Sequence, residues 1–496
     1  MQSADRNQQV GLVLYLRMAV VAALLTTAAV REALRISAFS TDEIWWHLST
    51  GRWTLHHLTA PHTGLFSQLS TSPWIDFSWF YDALFGAIYA GLGLRSLPLM
   101  LMIFKVALAA VTLLLAGVRR NGFWTAVTLS TLAQLALYNL QPLPVMFSIC
   151  FFGLSCYLLL EAHRQNQIKF LFWLPLLFWV WANLDAQFVL GLLLLCVFLI
   201  AETLERTLFG TASRSRDSKP IPLVHLCAIS AACLFATFIT PYSFRLIPAA
   251  IQDSYSSVLF KNFAFMAAME FRQPEHFLLL SLVLAACMAL GRERSRDLFR
   301  IFLLALCAAL AFRIQRDSWT IVLSSIAVLS GSVGPRSGEG LQPAPPVPFR
   351  KFVSLATIVA AVLLFSFFLL PSNSELHSRL SRVTPAAACD YIRSNQLPGP
   401  IFNEYQWGGY LTMNLPEYPV SIDQRMNLYG EQASGAYFDV IMGRQRMETF
   451  PAFAGAQTIL LPKGLAITRA LTTIPALQQQ FREVYSDDLA VVLVRR

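Results

Sequence analysis

Long apolar runs separated by short polar turns fill residues 1–371. A bilayer crossing needs roughly 20 predominantly apolar residues. Eleven stretches meet or approach that requirement: 12–30, 96–118, 122–140, 142–160, 170–183, 187–204, 222–240, 276–290, 298–312, 318–333 and 352–371. No small-residue cleavage site follows the first, which reads as a retained anchor. A twelfth apolar piece, 79–92, is short, contains Asp82, and suits an interfacial or re-entrant helix. Beyond residue 371 the pattern changes. Short β-type runs (400–402, 418–422, 458–461, 484–485, 489–494) alternate with helical stretches (385–394, 434–447, 465–481), which predicts a small α/β layer. The expected fold class is mainly α. It comprises a polytopic helical membrane domain over 1–371, with a large first outside loop at 31–95, and a small α/β domain over 372–496. The Gly/Pro-rich stretch 334–348 reads as a linker.

Composition removes the soluble alternatives. Hydrophobic residues make up 55% and charged residues 14%, against about 25% charged in an average soluble domain. Mean hydropathy is +0.52. So few charges cannot cover a water-soluble surface of this size, which excludes a soluble enzyme, a disordered chain and a collagen-like fibre. The net charge of +9 would point to nucleic acid in a soluble protein, but here its placement matters. With the N-terminus inside and 79–92 not crossing, the inside loops hold 16 Lys/Arg against 8 Asp/Glu, while the tail balances at 11 of each. The basic excess is an orientation signal, and no nucleic-acid partner is expected. Seven of the eight cysteines lie in apolar runs and Cys389 has no neighbouring cysteine, so neither a disulfide framework nor a cysteine metal site is expected.

On this topology the acids, histidines, tryptophans and amides gather on the outer face. The densest cluster follows the first span: Asp42, Glu43, Trp45, Trp46 and His47. A carboxylate beside apolar rings and lipid has its pKa raised by desolvation, which suits a general base. The tryptophan faces can pack on a sugar ring or polyprenyl chain, or serve only as an interfacial belt. His56, His57 and His62 match no fixed metal-ligand spacing and read as solvated loop histidines. Asn183 and Asp185 sit in the turn between two spans, where polar residues are functional candidates or helix caps. Arg313 and Arg316 lie outside, against the orientation rule; a phosphate group would account for them, because Arg grips phosphate oxygens bidentately. An ion pair with Asp317 or Asp185 would also do so. Arg245 is a further phosphate candidate. In the tail, Trp407, Asp423 and Arg425 follow two predicted strands, where α/β sheets present ligand sites. No phosphate-loop, nucleophile-elbow, zinc-protease or dinucleotide motif occurs.

These pieces resemble the GT-C glycosyltransferases, through residues 42–51, Pro73–Trp74, Trp79, 181–183, 240–242, 403–411 and 422–429. The chain looks like a bacterial branch of that superfamily, which places it in the inner membrane with the N-terminus cytoplasmic and the tail extracytoplasmic. It departs from the branch's pattern in its adjacent Asp42–Glu43 pair, in Asp185 where a His is usual, and in Gln424 between Asp423 and Arg425. The resemblance implies transfer of a sugar from a polyprenyl-phosphate-type donor to a saccharide or protein acceptor. Glu43 or Asp42, with His47, would act as base or hold a divalent cation (Mg²⁺ or Mn²⁺). Trp45, Trp46, Asn183, Asp185, Arg245, Arg313, Arg316, Trp407, Asp423 and Arg425 would bind substrate. A lipid-linked-sugar flippase and a non-catalytic envelope assembly protein are the alternative classes.

Overall fold

The computed structural model describes residues 2–33, 42–118, 122–138, 140–209, 221–332 and 349–496. The helical part runs α1 (Gln2–Ala33), α2 (Ile44–His57), α3 (Trp79–Leu92), α4 (Ser96–Leu115), α5 (Phe123–Ala136), α6 (Val145–Gln165), α7 (Leu174–Leu184), α8 (Phe188–Phe209) and α9 (Leu223–Ala236). It continues through the short α10 (Leu246–Ser254) and α11 (Ser257–Asn262) to α12 (Pro274–Glu293), α13 (Leu298–Arg313), α14 (Trp319–Ser332) and α15 (Phe349–Phe368). The expected linker at 334–348 lies outside the described residues.

Among the described residues, four helical segments are long and apolar enough to cross a membrane: Trp79–Leu115, Val145–Gln165, Phe188–Phe209 and Pro274–Glu293. The pair Val353–Phe368 and Asn373–Leu380, bent by 65°, would add one more. The expected eleven spans are therefore not reproduced by length and apolarity alone; α5, α9 and α14 are only 14 residues each. The segment 79–92 also differs from its expected separate placement. A single 3-10 turn, Gly93–Arg95, joins α3 to α4, and the two form one apolar run of 37 residues. Large apolar side chains such as Trp124, Phe172, Trp173, Phe235, Met288 and Phe365 point outward, as a lipid-facing surface requires.

The remaining elements are α16 (Asn373–Leu380), α17 (Ala386–Ser394), β1 (Ile401–Asn403), α18 (Tyr405–Asn414), α19 (Met426–Ile441), α20 (Pro451–Ala454), β2 (Thr458–Pro462), α21 (Ala466–Thr473), α22 (Pro475–Gln478), β3 (Phe481–Ser486) and β4 (Ala490–Arg495). The sheet order is β1-β2-β4-β3, with β1 and β2 parallel and the other pairs antiparallel. The apolar run of β2 is buried along Thr458–Leu461, as a central strand requires. The expected strand 418–422 does not join this sheet. Val420 instead exchanges backbone hydrogen bonds with the first loop, accepting from Gln68 and donating to Phe66 at 2.9 Å each. The expected helix 465–481 breaks at Pro475 and gives way to β3, because proline lacks the N–H that a continuing helix needs.

One apolar cluster joins Trp45, Leu48 and Tyr81 to Trp407, Tyr410, Val420 and Leu460; another joins Trp46 and Trp74 to Phe402, Ile422 and Tyr437. The first loop and the C-terminal region thus share their core, with α2 in the middle. Glycines permit its close approach. A Cβ on Gly51 would stand 1.9 Å from the backbone oxygen of Asp82 on α3, and one on Gly409 would stand 2.7 Å from that of Asp42. Overpacking a fitted contact costs about 1–3 kcal/mol, and backbone cannot swing aside as a side chain can. Gly51→Ala should therefore lower stability by about 2 kcal/mol or more, measured as a fall in Tm of the detergent-purified protein. Gly91→Ala, whose Cβ would meet open space, should leave Tm unchanged or slightly raised.

Candidate active site

Asp42 and Glu43 are fixed by the start of α2. Glu43 occupies the N-cap position in helical geometry, yet its side chain makes no capping hydrogen bond, so the helix does not use its carboxylate. Burial raises the Glu43 pKa; the charges of Asp185 and Asp253 raise it further, while His47 and Arg316 oppose them. Glu43, Asp185 and Asp253 are thus each within electrostatic reach of the Arg316 guanidinium, and both aspartates act on Glu43. They come from the start of α2, the α7–α8 turn, the end of α10 and the turn after α13.

Each member has its own support. Asp185 ends α7 in extended geometry and accepts a hydrogen bond from Ser148 of α6, which in turn accepts one from Trp181 Nε1 at 2.6 Å. Burial raises the Asp185 pKa to about 6, with Ser148 and Arg316 pulling it back. Burial likewise raises that of Asp253, against the pull of Arg316. Arg316 Nε donates to Asp317 Oδ1 at 3.0 Å, and Gln187 Nε2 donates to the same oxygen at 3.3 Å. The Arg316–Asp317 pair weighed from sequence is therefore present, and it engages one guanidinium nitrogen. Arg313 lies at the exposed rim, its guanidinium 5.4 Å from the centre of the Tyr255 ring and 6.0 Å from that of Phe260. Arg245 is also exposed and is not among the charges that act on Glu43.

A second acidic pair lies on the other side of the α2 terminus. Asp42 is raised to about 7 by burial, and Glu404, which caps α18 by accepting from Trp407 N at 3.1 Å, is raised to about 7 by burial with a contribution from Asp42. The Asp42 backbone passes beneath Gly409 of α18.

Several residues expected to meet substrate are core instead. Trp45 is buried edge-on to Tyr410 at 5.4 Å, and Trp46 stacks on His47 at 3.6 Å; the apolar clusters on both sides of α2 claim their faces. Trp407 is buried. Asp423 and Arg425 form a buried bidentate pair, at 2.5 Å between Nη2 and Oδ2, with the guanidinium 5.0 Å from the centre of the Trp74 ring. Asn183 spends its amide on the frame, accepting from Trp79 Nε1 at 2.9 Å and donating to the carbonyls of Trp179 and Ile239. His47 is buried, its Nδ1 2.7 Å from Asp82 Oδ1, with Ser78 bridging Asp76 and Asp82. Burial lowers the His47 pKa to about 4, so the ring is neutral at pH 7, and its hydrogen bond to Asp82 braces the site from behind. His56 and His57 are exposed at the end of α2. Asp253 and Glu404 were not singled out in the sequence, where nothing distinguishes them from ordinary loop and cap acids.

No protein family and no curated protein matches the sequence. Solved structures do match. The fold is shared with solved archaeal oligosaccharyltransferase structures. The archaeal oligosaccharyltransferase AglB from Archaeoglobus fulgidus, solved with an inhibitory peptide and a dolichol-phosphate, superposes with a TM-score of 0.58 at 9% identity, over 95% of this chain and 72% of that one. The apo form of the Archaeoglobus fulgidus oligosaccharyltransferase gives 0.52 at 10% identity, over 95% and 73%.

The raised carboxyl pKa values fix a direction for stability. A buried acid with a raised folded-state pKa stabilises fully below its unfolded pKa near 4, and the contribution is lost as pH rises through the folded value. For Asp42 and Glu404 that window is about pH 4 to 7. Asp42→Asn and Glu404→Gln should raise Tm relative to wild type at pH 8 and flatten the decline between pH 5 and 8, in thermal melts across that range.

Proposed function

We propose that this chain is an integral membrane glycosyltransferase that takes a sugar from a polyprenyl-phosphate-type carrier and passes it to an envelope acceptor at the extracytoplasmic face. The observation that supports this best is the convergence of Glu43, Asp185 and Asp253 on Arg316 from four separate segments. The GT-C-type fold adds a frame in which one neighbour binds dolichol-phosphate.

Glu43 is unused by its helix, and burial raises its pKa, with Asp185 and Asp253 adding to the rise; carboxylate oxygens suit Mg²⁺ or Mn²⁺. The oxygens of Glu43, Asp185 and Asp253 do not group within 4.8 Å of one another, so the three as they stand do not form a cation site and the phosphate charge falls to Arg316. Arg316 binds phosphate oxygens through the guanidinium nitrogens not engaged by Asp317, and stabilises the negative charge that grows there as the sugar leaves. Arg313 meets the carrier at the lipid-side rim. Asp42, with its pKa near working pH, accepts the proton of the acceptor hydroxyl. Direct displacement by that hydroxyl inverts the anomeric carbon.

Transfer measured in proteoliposomes with a polyprenyl-phosphate-linked sugar tests this. Glu43→Gln, Asp185→Asn and Arg316→Ala should each lower the rate about 10²–10³-fold, the scale of losing one preorganised electrostatic contact. The wild-type rate should climb with pH through about 7 as Asp42 ionises, and Asp42→Asn should lower it while removing that limb. Full activity in the Asp42→Asn/Glu43→Gln double variant would sink the assignment.

A further inference from the structure

The helices that bring Ser148, Asp185 and Arg316 together carry a second charged cluster at their other end. His163 lies near the C-terminus of α6, Glu202 and Glu205 near the C-terminus of α8, and Asp297 at the N-cap of α13. Fifteen residues of α6 separate Ser148 from His163, roughly 22 Å at 1.5 Å per residue, so the cluster stands apart from the candidate active site. One ligand atom from each of His163, Glu205 and Asp297 falls within 4.8 Å of the others.

The two imidazole nitrogens are placed differently. Nδ1 is 2.6 Å from Glu202 Oε1, a tight hydrogen bond, while Nε2 stands 3.5 Å from Asp297 Oδ1. The first contact is what orients a metal-ligating histidine: a carboxylate behind Nδ1 fixes the tautomer and turns Nε2 to the ion. The second is long for a hydrogen bond, but close to the ligand–ligand edge of a tetrahedral ion with bonds of about 2.0–2.1 Å, which is about 3.4 Å. The carboxylates are held in place as well. Glu205 accepts from Leu298 N at 2.6 Å, Asp297 accepts from Arg300 N and Nε at 3.0 and 2.8 Å, and Arg206 pairs with Glu202 at 3.0 Å. Arg164 and Glu161 flank the site on α6, and Glu293 reaches Arg300.

We propose that His163, Glu205 and Asp297 form a divalent-cation site, suited to Zn²⁺, that ties α6, α8 and α13 together at the end of the bundle opposite the candidate active site. One imidazole and two carboxylates match the preference of Zn²⁺, with water completing the shell. The ion would cross-link three helices whose far ends set Ser148, Asp185 and Arg316. The proposal stands on its own geometry and does not need the glycosyltransferase reading.

The test is Zn²⁺ binding to the full-length protein in detergent, by metal analysis after dialysis and by the Zn²⁺-induced rise in Tm, which follows from binding to the folded state alone. Glu43→Gln/Asp185→Asn serves as the background, because it removes the other acidic site. That background should retain a Zn²⁺ ion and the Tm rise. Adding His163→Ala, or Asp297→Asn, which keeps a good N-cap, should abolish both, and Glu202→Gln should weaken Zn²⁺ about 10–100-fold. Unchanged Zn²⁺ binding with either ligand substitution overturns the proposal. So does an absence of Zn²⁺ from the background protein with His163 protonated at pH 7 by NMR, which would make the cluster an imidazolium bridge between two carboxylates.

Discussion

The close backbone approach of α2 to its neighbours is the constraint on which the site depends. At Gly51 the helix comes so near Asp82 on α3 that no side chain fits, and at Gly409 the C-terminal region closes on Asp42 in the same manner. Two consecutive tryptophans then lock the rotation of the helix, Trp45 into one apolar cluster and Trp46 into the other. A helix held on both sides has no freedom to roll, so the carboxylates at its N-terminus are aimed by packing, without any cap of their own. Interiors at crystal-like density transmit such placement over several residues.

This packing also explains the electrostatics. The core that fixes α2 is dry enough to push the pKa values of Asp42, Glu43, Asp185 and Glu404 upward, and an apolar setting is where one fixed guanidinium acts most strongly on nearby charge. Behind the site, the charge of Asp423 is neutralised by Arg425, while the neutral His47 ring is hydrogen-bonded to Asp82. Burying an ion pair contributes little net stability. Removing one partner would leave an uncompensated charge beneath α2, which gives a reason for pairs to stand there when apolar packing would serve stability as well.

The helical frame was legible because a chain crossing lipid must satisfy its backbone within each segment, and so writes contiguous apolar runs. Glu43, Asp185 and Arg316 were legible because ionic residues beside such runs need a reason. Their grouping was not, since 142 residues separate Glu43 from Asp185 and 131 separate Asp185 from Arg316, and no local pattern records such distances. Trp45 and Trp46 show the opposite error: a Trp-Trp-His string fits a substrate platform, and only the arrival of Tyr410, Trp74 and Tyr437 from afar makes it core. The strand expected at 418–422 failed for a related reason. Its Val420 backbone hydrogen bonds are made with Phe66 and Gln68 of the first loop and not with the sheet.

A fold shared with oligosaccharyltransferase structures at 9–10% identity shows how little of the sequence the frame prescribes. Apolar side chains facing lipid are interchangeable, because the solvent on that side is as apolar as they are. What cannot be exchanged freely are contacts where backbone meets backbone and charges whose partners lie on another segment. In this chain both kinds concentrate around α2 and at the ends of α6, α8 and α13. On the proposed reading, function rests on those charges more than on the fold around them, so substitutions of the charges should separate chemistry from stability more cleanly than any made at the backbone contacts.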